Sequence, residues 1–331
     1  MFRLNCNIVV ERQEGGSVRL RNVAEVVVST SVETFTDTCR LTLPRIYSRG
    51  GKDERDITKI FRRGDRICVE LGYDGVLETV FKGYLKGVSS GRPVVIDCEN
   101  EAWELKQWKL SAVHYPRLNL RDFVGKYMGE YDTEVVDVDL GEVRINEYTS
   151  LAKVFDYFMD HYPFRFFFRD GVFYGVMTGS LMLRRDVVRV VKFRFGRNII
   201  SDNLVYTLAE DVRIQVVAKA ILRGNKKIEW KEPADGAGCE VRTFLVPGAT
   251  TVGELKVYAA ERLKTFCVDR MSGDFTAFGL PFVRKGDIVH LFDDEKGLRA
   301  ECNDKRFVVE GVEYMFGKGG YRQKIKLGAR V

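Results

Sequence analysis

Apolar and polar residues alternate along the first hundred positions with the period of two that a strand imposes. Val26-Val27-Val28, Cys39-Arg40-Leu41-Thr42-Leu43, Arg66-Ile67-Cys68-Val69-Glu70-Leu71 and Val94-Val95-Ile96 are the strand candidates, with Gly15-Gly16 as an early turn. Asp74-Gly75 lies between two such runs, the strongest short signal for a two-residue hairpin. Strands this short and this dense predict a barrel or sandwich. Beyond residue 105 the period changes. Leu118 to Val124 reads as a helix start, and Ser150 can cap a helix whose apolar positions Leu151, Val154, Phe155 and Phe158 share one face. An aromatic hairpin follows, Phe164-Arg165-Phe166-Phe167-Phe168 and Val172-Phe173-Tyr174 around Asp170-Gly171. Strands return at Leu204 to Leu208, Val212 to Leu222 and Lys227 to Trp230. Thr251 then caps a helix through Leu255, Tyr258, Ala259, Arg262, Leu263 and Phe266. Ile288 to Phe292, Arg306 to Val309 and Lys324 to Leu327 complete the pattern.

These elements predict an α+β, mainly β, chain in three consecutive segments. A β-barrel domain occupies 1–105 and a small α+β domain 106–200. A second β-barrel domain occupies 201–331, with an inserted helix at about 251–268. The length, 331 residues, suits two or three domains at roughly 150 residues each. Hydrophobic residues at 45% supply sizeable cores, and 22 Phe and 14 Tyr against 7 Pro lean toward strands.

The two outer segments share a motif. Arg63-Gly64-Asp65-Arg66-Ile67-Cys68-Val69 in the first matches Lys285-Gly286-Asp287-Ile288-Val289-His290-Leu291 in the last, a Gly-Asp turn opening a strand each time. Phe81-Lys82-Gly83-Tyr84-Leu85 is set against Val309-Glu310-Gly311-Val312-Glu313. The next turn glycine lies 8 residues on in both, at Gly91 and at Gly319. The intervals to Gly83 and Gly311 differ, 19 residues against 25. Glycine within a strand marks a bulge or bend, and an aspartate in the turn can accept backbone N–H bonds. Gly64, Asp65, Gly83, Gly91, Gly286, Asp287, Gly311 and Gly319 are therefore expected to form a duplicated structural motif, giving two related barrels around the α+β segment.

In the same order, the chain resembles phage tail baseplate hub proteins of the late control protein D group, and the N-terminal part of type VI secretion spike proteins. Cys39 to Pro44 resembles an early strand of that family, and Gly64-Asp65 to Gly83 its first barrel. Phe195 to Leu204 resembles the start of its second half. Ser272-Gly273-Asp274-Phe275 with Gly279-Leu280-Pro281 and Lys285-Gly286-Asp287 is the most specific piece, and Gly319 to Gly328 closes the match. Each motif is a turn or a strand; their order over nearly the whole chain carries the likeness. The resemblance implies a structural, non-enzymatic subunit that forms a homotrimer. Two barrels per subunit would give six similar modules around a channel, joining a sixfold tail tube protein to a spike protein. Because the sequence stops at Val331 without a needle extension, a separate spike is expected. DNA or effector would pass through without specific binding. The implied location is the tail baseplate of the virion, assembled in the host bacterial cytoplasm.

Charge and candidate chemistry leave this picture in place. The net charge of +6 is the difference of 53 cations and 47 anions that are dispersed, the densest groupings being Phe61-Arg62-Arg63 and Leu183-Arg184-Arg185. A nucleic-acid-binding barrel protein, one alternative, would cluster them on one face. Seven cysteines, none in a CxxC pair, read as reduced thiols without a zinc site. The first residues lack an apolar run of signal length, and no stretch is apolar enough to span a membrane, so no membrane insertion is expected. His114, His161 and His290 sit outside any nucleophile motif. Asp97, Glu99, Glu101 and Glu104 beside Trp103 offer the carboxylates that a second alternative, a tail-associated cell-wall hydrolase, would require. A solvated strand end accounts for them more simply. Asp293-Asp294-Glu295 before Lys296-Gly297 reads as a polar hairpin turn. Gly317-Lys318-Gly319-Gly320 leads into a strand, where a phosphate loop leads into a helix. No catalytic residue, cofactor or metal is expected.

Overall fold

The structure, a computed structural model, describes residues 3–48, 54–177, 188–222, 226–246, 248–293 and 303–331. The first seven strands used below are β1 (Leu4–Glu11), β2 (Ser17–Leu20), β3 (Glu25–Ser31), β4 (Thr38–Leu43), β5 (Arg66–Tyr73), β6 (Val76–Val88) and β7 (Val94–Glu99). Helices α1 (Leu120–Tyr127) and α2 (Leu151–His161) follow. Next come β8 (Val190–Arg194), β9 (Ile199–Asp202), β10 (Ile214–Ile221), β11 (Lys227–Glu232) and β12 (Glu240–Leu245). Helix α3 (Val252–Phe266) precedes β13 (Asp274–Phe278), β14 (Ile288–Phe292), β15 (Lys305–Gly317) and β16 (Gly320–Arg330).

Local chemistry sets many of these boundaries. At Asp74-Gly75 both central residues have positive φ (50° and 87°) and Tyr73 faces Val76, so a two-residue turn joins β5 to β6. Asp170-Gly171 does the same between Phe164–Arg169 and Val172–Met177. Asn119, Ser150 and Thr251 each accept a bond from a backbone N–H three residues on, closing the first turns of α1, α2 and α3.

The chain divides into two compact units, each built from separated stretches. The first comprises 1–105, 188–204 and 273–327; the second comprises 106–187, 205–272 and 328–331. This departs from three consecutive segments. The break at 105/106 falls where the sequence pattern changes, but residues 205–272 join the middle stretch instead of forming a barrel with 273–327. Strand periodicity carries no information about which strands pair across two hundred residues.

In the first unit the strand order is β9-β13-β16-β15-β3-β4-β7-β6-β5-β1-β2, with β8 pairing β14 and β14 pairing β15. Among the described residues no pairing closes either half into a barrel. The two halves are joined along one seam: β15 runs antiparallel to β3, from Gly311 opposite Ser31 to Gly317 opposite Glu25. Val26, Val28 and Tyr314 are buried along this seam, and the Tyr314 hydroxyl donates to the Val283 carbonyl at 2.6 Å. Beside it lies a buried ion pair. Lys285 Nζ is 2.7 and 2.6 Å from the two carboxylate oxygens of Asp37 and 3.3 Å from the Ser31 carbonyl. The Ser31 N–H and the Asn100 side chain also donate to Asp37. Burial pushes the Asp37 carboxyl up from its ordinary range, and the Lys285 ammonium opposes that shift.

Among the described residues the second unit shows two clusters of packed side chains. Phe123 of α1 and Phe155 and Phe158 of α2 meet Phe166 and Phe173 of the aromatic hairpin, with ring centroids 4.9 to 6.4 Å apart. All five are nearly or fully buried, so the Phe164 to Phe168 segment is core. Each such ring contributes roughly 1.5–3 kcal/mol through burial. Elsewhere β10 lies between antiparallel β11 and parallel β12, and Val216, Ala218 and Ala220 pack on Leu255 and Ala259 of α3.

Removing one partner of a buried ion pair strands the other charge, which costs about 3–5 kcal/mol. Lys285→Met is therefore expected to lower unfolding stability by about that much in urea titration, and adding Asp37→Leu to restore most of the loss. A loss below about 1 kcal/mol would show that the seam does not depend on the pair.

Candidate functional site

The two Gly-Asp turns share a set of hydrogen bonds. Gly64 and Gly286 have φ of 91° and 80°, a conformation glycine adopts without strain. Gly64 N–H donates to the Leu85 carbonyl at 2.8 Å, and Gly286 N–H to that of Val309 at 2.7 Å. In return Leu85 N–H donates to the Asp65 carbonyl, and Val309 N–H to that of Asp287. The carboxylates complete the match. Asp65 Oδ2 accepts from Arg62 N–H at 2.8 Å and Asp287 Oδ2 from Arg284 N–H at 2.9 Å. Asp65 Oδ1 accepts from Gln13 N–H at 3.0 Å and Asp287 Oδ1 from Arg189 N–H at 3.2 Å. Both aspartates are buried. Each carboxylate thus ties its own turn to a third segment of chain.

The remaining motif glycines occupy different stations. Ile67 faces Gly83, whereas the equivalent Val289 faces Phe307, so Gly311 stands level with Gly87, four positions from Gly83. Gly83 is needed because a Cβ there would lie 2.1 Å from the Glu99 carbonyl oxygen, where β6 crosses close to the end of β7. Gly311 lies on the seam opposite Ser31. Gly91 lies in the bend between β6 and β7, and Gly319 in the turn between β15 and β16. The third segment also differs: β1 runs antiparallel to β5, while β8 runs parallel to β14.

Side chains without a sequence signal support the second turn. Gln323, fully buried, accepts from Val283 N–H and donates to the carbonyls of Phe278 and Pro281. It holds the Gly279-Leu280-Pro281 loop that leads to Gly286. Gly279 sits against the Tyr321 ring, which leaves no space for a Cβ. A polar residue in an alternating strand gives no hint that its amide is satisfied by a loop more than forty positions away.

Three of the four acidic candidates, Asp97, Glu99 and Glu104, meet separate cations. Asp97 pairs with Arg40 at 2.8 Å and Glu99 with Lys86 at 2.7 Å. Burial pushes the Glu101 carboxyl up. Glu104 lies 4.0 Å from Arg66, and burial together with Glu104 pushes the Tyr84 phenol up to about 12. Arg63 stacks 4.6 Å over Trp103. His114 meets Glu142 at 3.0 Å, His161 meets the Tyr157 carbonyl at 2.9 Å and His290 meets Asp304 at 2.7 Å. Leu183-Arg184-Arg185, Cys302 and the stretch from Asp294 to Gly297 lie outside the described residues.

No known family model and no curated protein matches the sequence. The fold does match solved structures. A tail protein from Neisseria meningitidis MC58 aligns with a TM-score of 0.66 at 15% identity, over 98% of this chain and 96% of that one. The 43 kDa tail protein of prophage MuSo2 from Shewanella oneidensis aligns at 0.59 and 13% identity, over 97% of both chains. The E. coli c3393 protein, a type VI secretion component with structural similarity to the T4 tail proteins gp27 and gp5, aligns at 0.52 and 11%, over 94% and 74%. The chain has the fold of phage and prophage tail proteins.

Removing an aspartate from either turn leaves two backbone donors without their acceptor. Asp65→Ala and Asp287→Ala are each expected to cost ~2–4 kcal/mol in chemical unfolding. A large loss at one site and none at the other would show that the two turns are not equivalent supports.

Proposed function

We propose that the chain is a structural subunit of a phage-type tail and sits at the hub of its baseplate. The observation that carries this reading is the likeness to tail proteins over 97–98% of the chain. The two matching Gly-Asp turns support it independently, since each subunit then presents a related pair of modules. In this reading three copies close into a ring, because a heterologous contact repeated through a closing rotation leaves no free end. Three pairs of modules match the sixfold symmetry of a tail tube protein, and the opposite face receives a separate spike protein. Among the described residues the first unit has edge strands at β2, β8 and β9, and unpaired strand edges are natural joining points between copies.

The role is mechanical and non-catalytic. Asp97 and Glu99 are held by different cations, Arg40 and Lys86, which favours assembly over wall cutting. DNA or effector crosses the ring without specific binding, so lysine and arginine are sparse on the channel wall, each neutralised phosphate being a source of retention. The site of action is the baseplate of the virion tail, and assembly takes place in the bacterial cytoplasm.

Light scattering of the purified protein is expected to give the mass of three chains. A single-chain mass at every concentration tested, unchanged when the tube and spike proteins of the same tail are added, would overturn the ring.

A further inference from the structure

Strands β4 and β7 lie in the interior of the first unit's sheet, β4 between β3 and β7, and β7 between β4 and β6. Their register sets Cys39 opposite Cys98. Both thiols are free, and both residues are 1% exposed. Arg40 and Asp97, one position along, pair on the solvent side, so the two cysteines share the core side with Leu41 and Ile96. Among the described residues no other two cysteines face each other across a ladder: Cys6 faces Leu71, and Cys68 faces Val9 and Lys82.

The backbone sets the span between them. Asn100 N–H donates to the Asp37 carbonyl, so these opposed residues are a hydrogen-bonded pair. Such pairs alternate along an antiparallel ladder. Two positions on, Cys39 and Cys98 are again one, with Cα atoms about 5.5 Å apart. A disulfide joins Cα atoms roughly 4.4–6.8 Å apart, so the bond can form without any change of register. Burial pushes the Cys39 thiol well up from its ordinary range, and the Cys98 thiol hydrogen-bonded to it adds to the shift.

We propose that Cys39 and Cys98 are a modification site, a redox pair that closes into a reversible disulfide across the β4–β7 ladder when the protein meets a low-molecular-weight disulfide such as oxidised glutathione. One cysteine thiolate attacks the oxidant, forming a mixed disulfide and releasing one small thiol. The second cysteine then displaces the other small thiol. Two protein thiols are thereby oxidised, and one small disulfide is reduced to two thiols. In the closed sheet Cys39 stays protonated and shielded, so exchange takes place while the strands pair during folding or part in a local opening. Side chains of a hydrogen-bonded pair stand further apart than those of the intervening pairs, so the bridge draws them together and carries strain. Strain makes a disulfide easier to reduce, which suits one that opens again in a reducing compartment. When closed, it ties β4 to β7 two residue pairs from Asp37 and Asn100, beside the carboxylate that Lys285 meets. The site belongs to the first unit alone and is independent of the tail reading.

The test uses the full-length protein, unfolded in urea and refolded in buffer containing oxidised glutathione. Remaining thiols are then blocked with N-ethylmaleimide and the product is mapped by peptide mass spectrometry. In most molecules a linked pair of peptides holding Cys39 and Cys98 is expected, with the mass of the two free peptides less two hydrogens. Transfer to an excess of reduced glutathione is expected to return both thiols. Cys98→Ala is expected to abolish the link and leave Cys39 unbridged. Should the chain not refold, the folded protein is held in the oxidised buffer at a urea concentration just below its unfolding transition, where the strands open transiently, and mapped in the same way. Recovery of both thiols free from the oxidised buffer would overturn the proposal. So would a bridge from Cys39 or Cys98 to a different cysteine, or a link that survives the excess of reduced glutathione.

Discussion

Asp37 and Lys285 stand 248 residues apart in sequence and 2.6 Å apart in the first unit. Neither charge has water to fall back on, so each is tolerable only while the other is in place. The pair therefore fixes how β3 and β15 meet: a shift of one residue along that seam would turn Val26, Val28 and Tyr314 to the opposite face and draw Lys285 away from its carboxylate. Ser31 and Asn100 add donors to the same carboxylate, which anchors the start of β4 and the end of β7 to one point. A buried ion pair adds little net stability compared with a well-packed apolar pair, whereas losing either partner leaves the other charge stranded.

Much of the local architecture was legible in the residues. Hairpins at Asp74-Gly75 and Asp170-Gly171 follow from the positive φ that such turns require. Ser150 and Thr251 announce their helices because an oxygen three residues ahead of a free N–H is a local matter. The two Gly-Asp turns were also legible, since the glycine and the carboxylate act within three residues of each other. Pairing over long distances was not. Nothing in the alternation of Val205 to Ile221 separates a strand of the first unit from one of the second, and the chain leaves the first unit after Leu204 and returns at Gly273.

The offset between Gly83 and Gly311 has the same origin. Aligning the halves on their glycines assumes that a glycine marks one station in both. Gly83 exists because β6 passes within contact of the Glu99 carbonyl, a local crowding that the second half does not reproduce at Phe307. What repeats is the bonding of the turn backbone to Leu85 in one half and Val309 in the other, which any side chain permits. Identity at a backbone-bonded position is free to drift, and the sequence alignment slips accordingly.

The same reasoning explains how one turn serves two different neighbours. A carboxylate oxygen accepts an N–H from any direction within its plane and does not register the polarity of the strand that offers it. Asp65 takes its donor from Gln13, just beyond antiparallel β1; Asp287 takes its donor from Arg189, just before parallel β8. A backbone ladder could not make that exchange, because its donors and acceptors alternate with a spacing set by strand direction. The buried aspartate thus acts as an adaptor that keeps the hairpin constant while the surrounding chain is rerouted. That freedom lets two turns with matching bonds stand in one sheet while the segments they hold run in opposite directions relative to the strand that follows each turn.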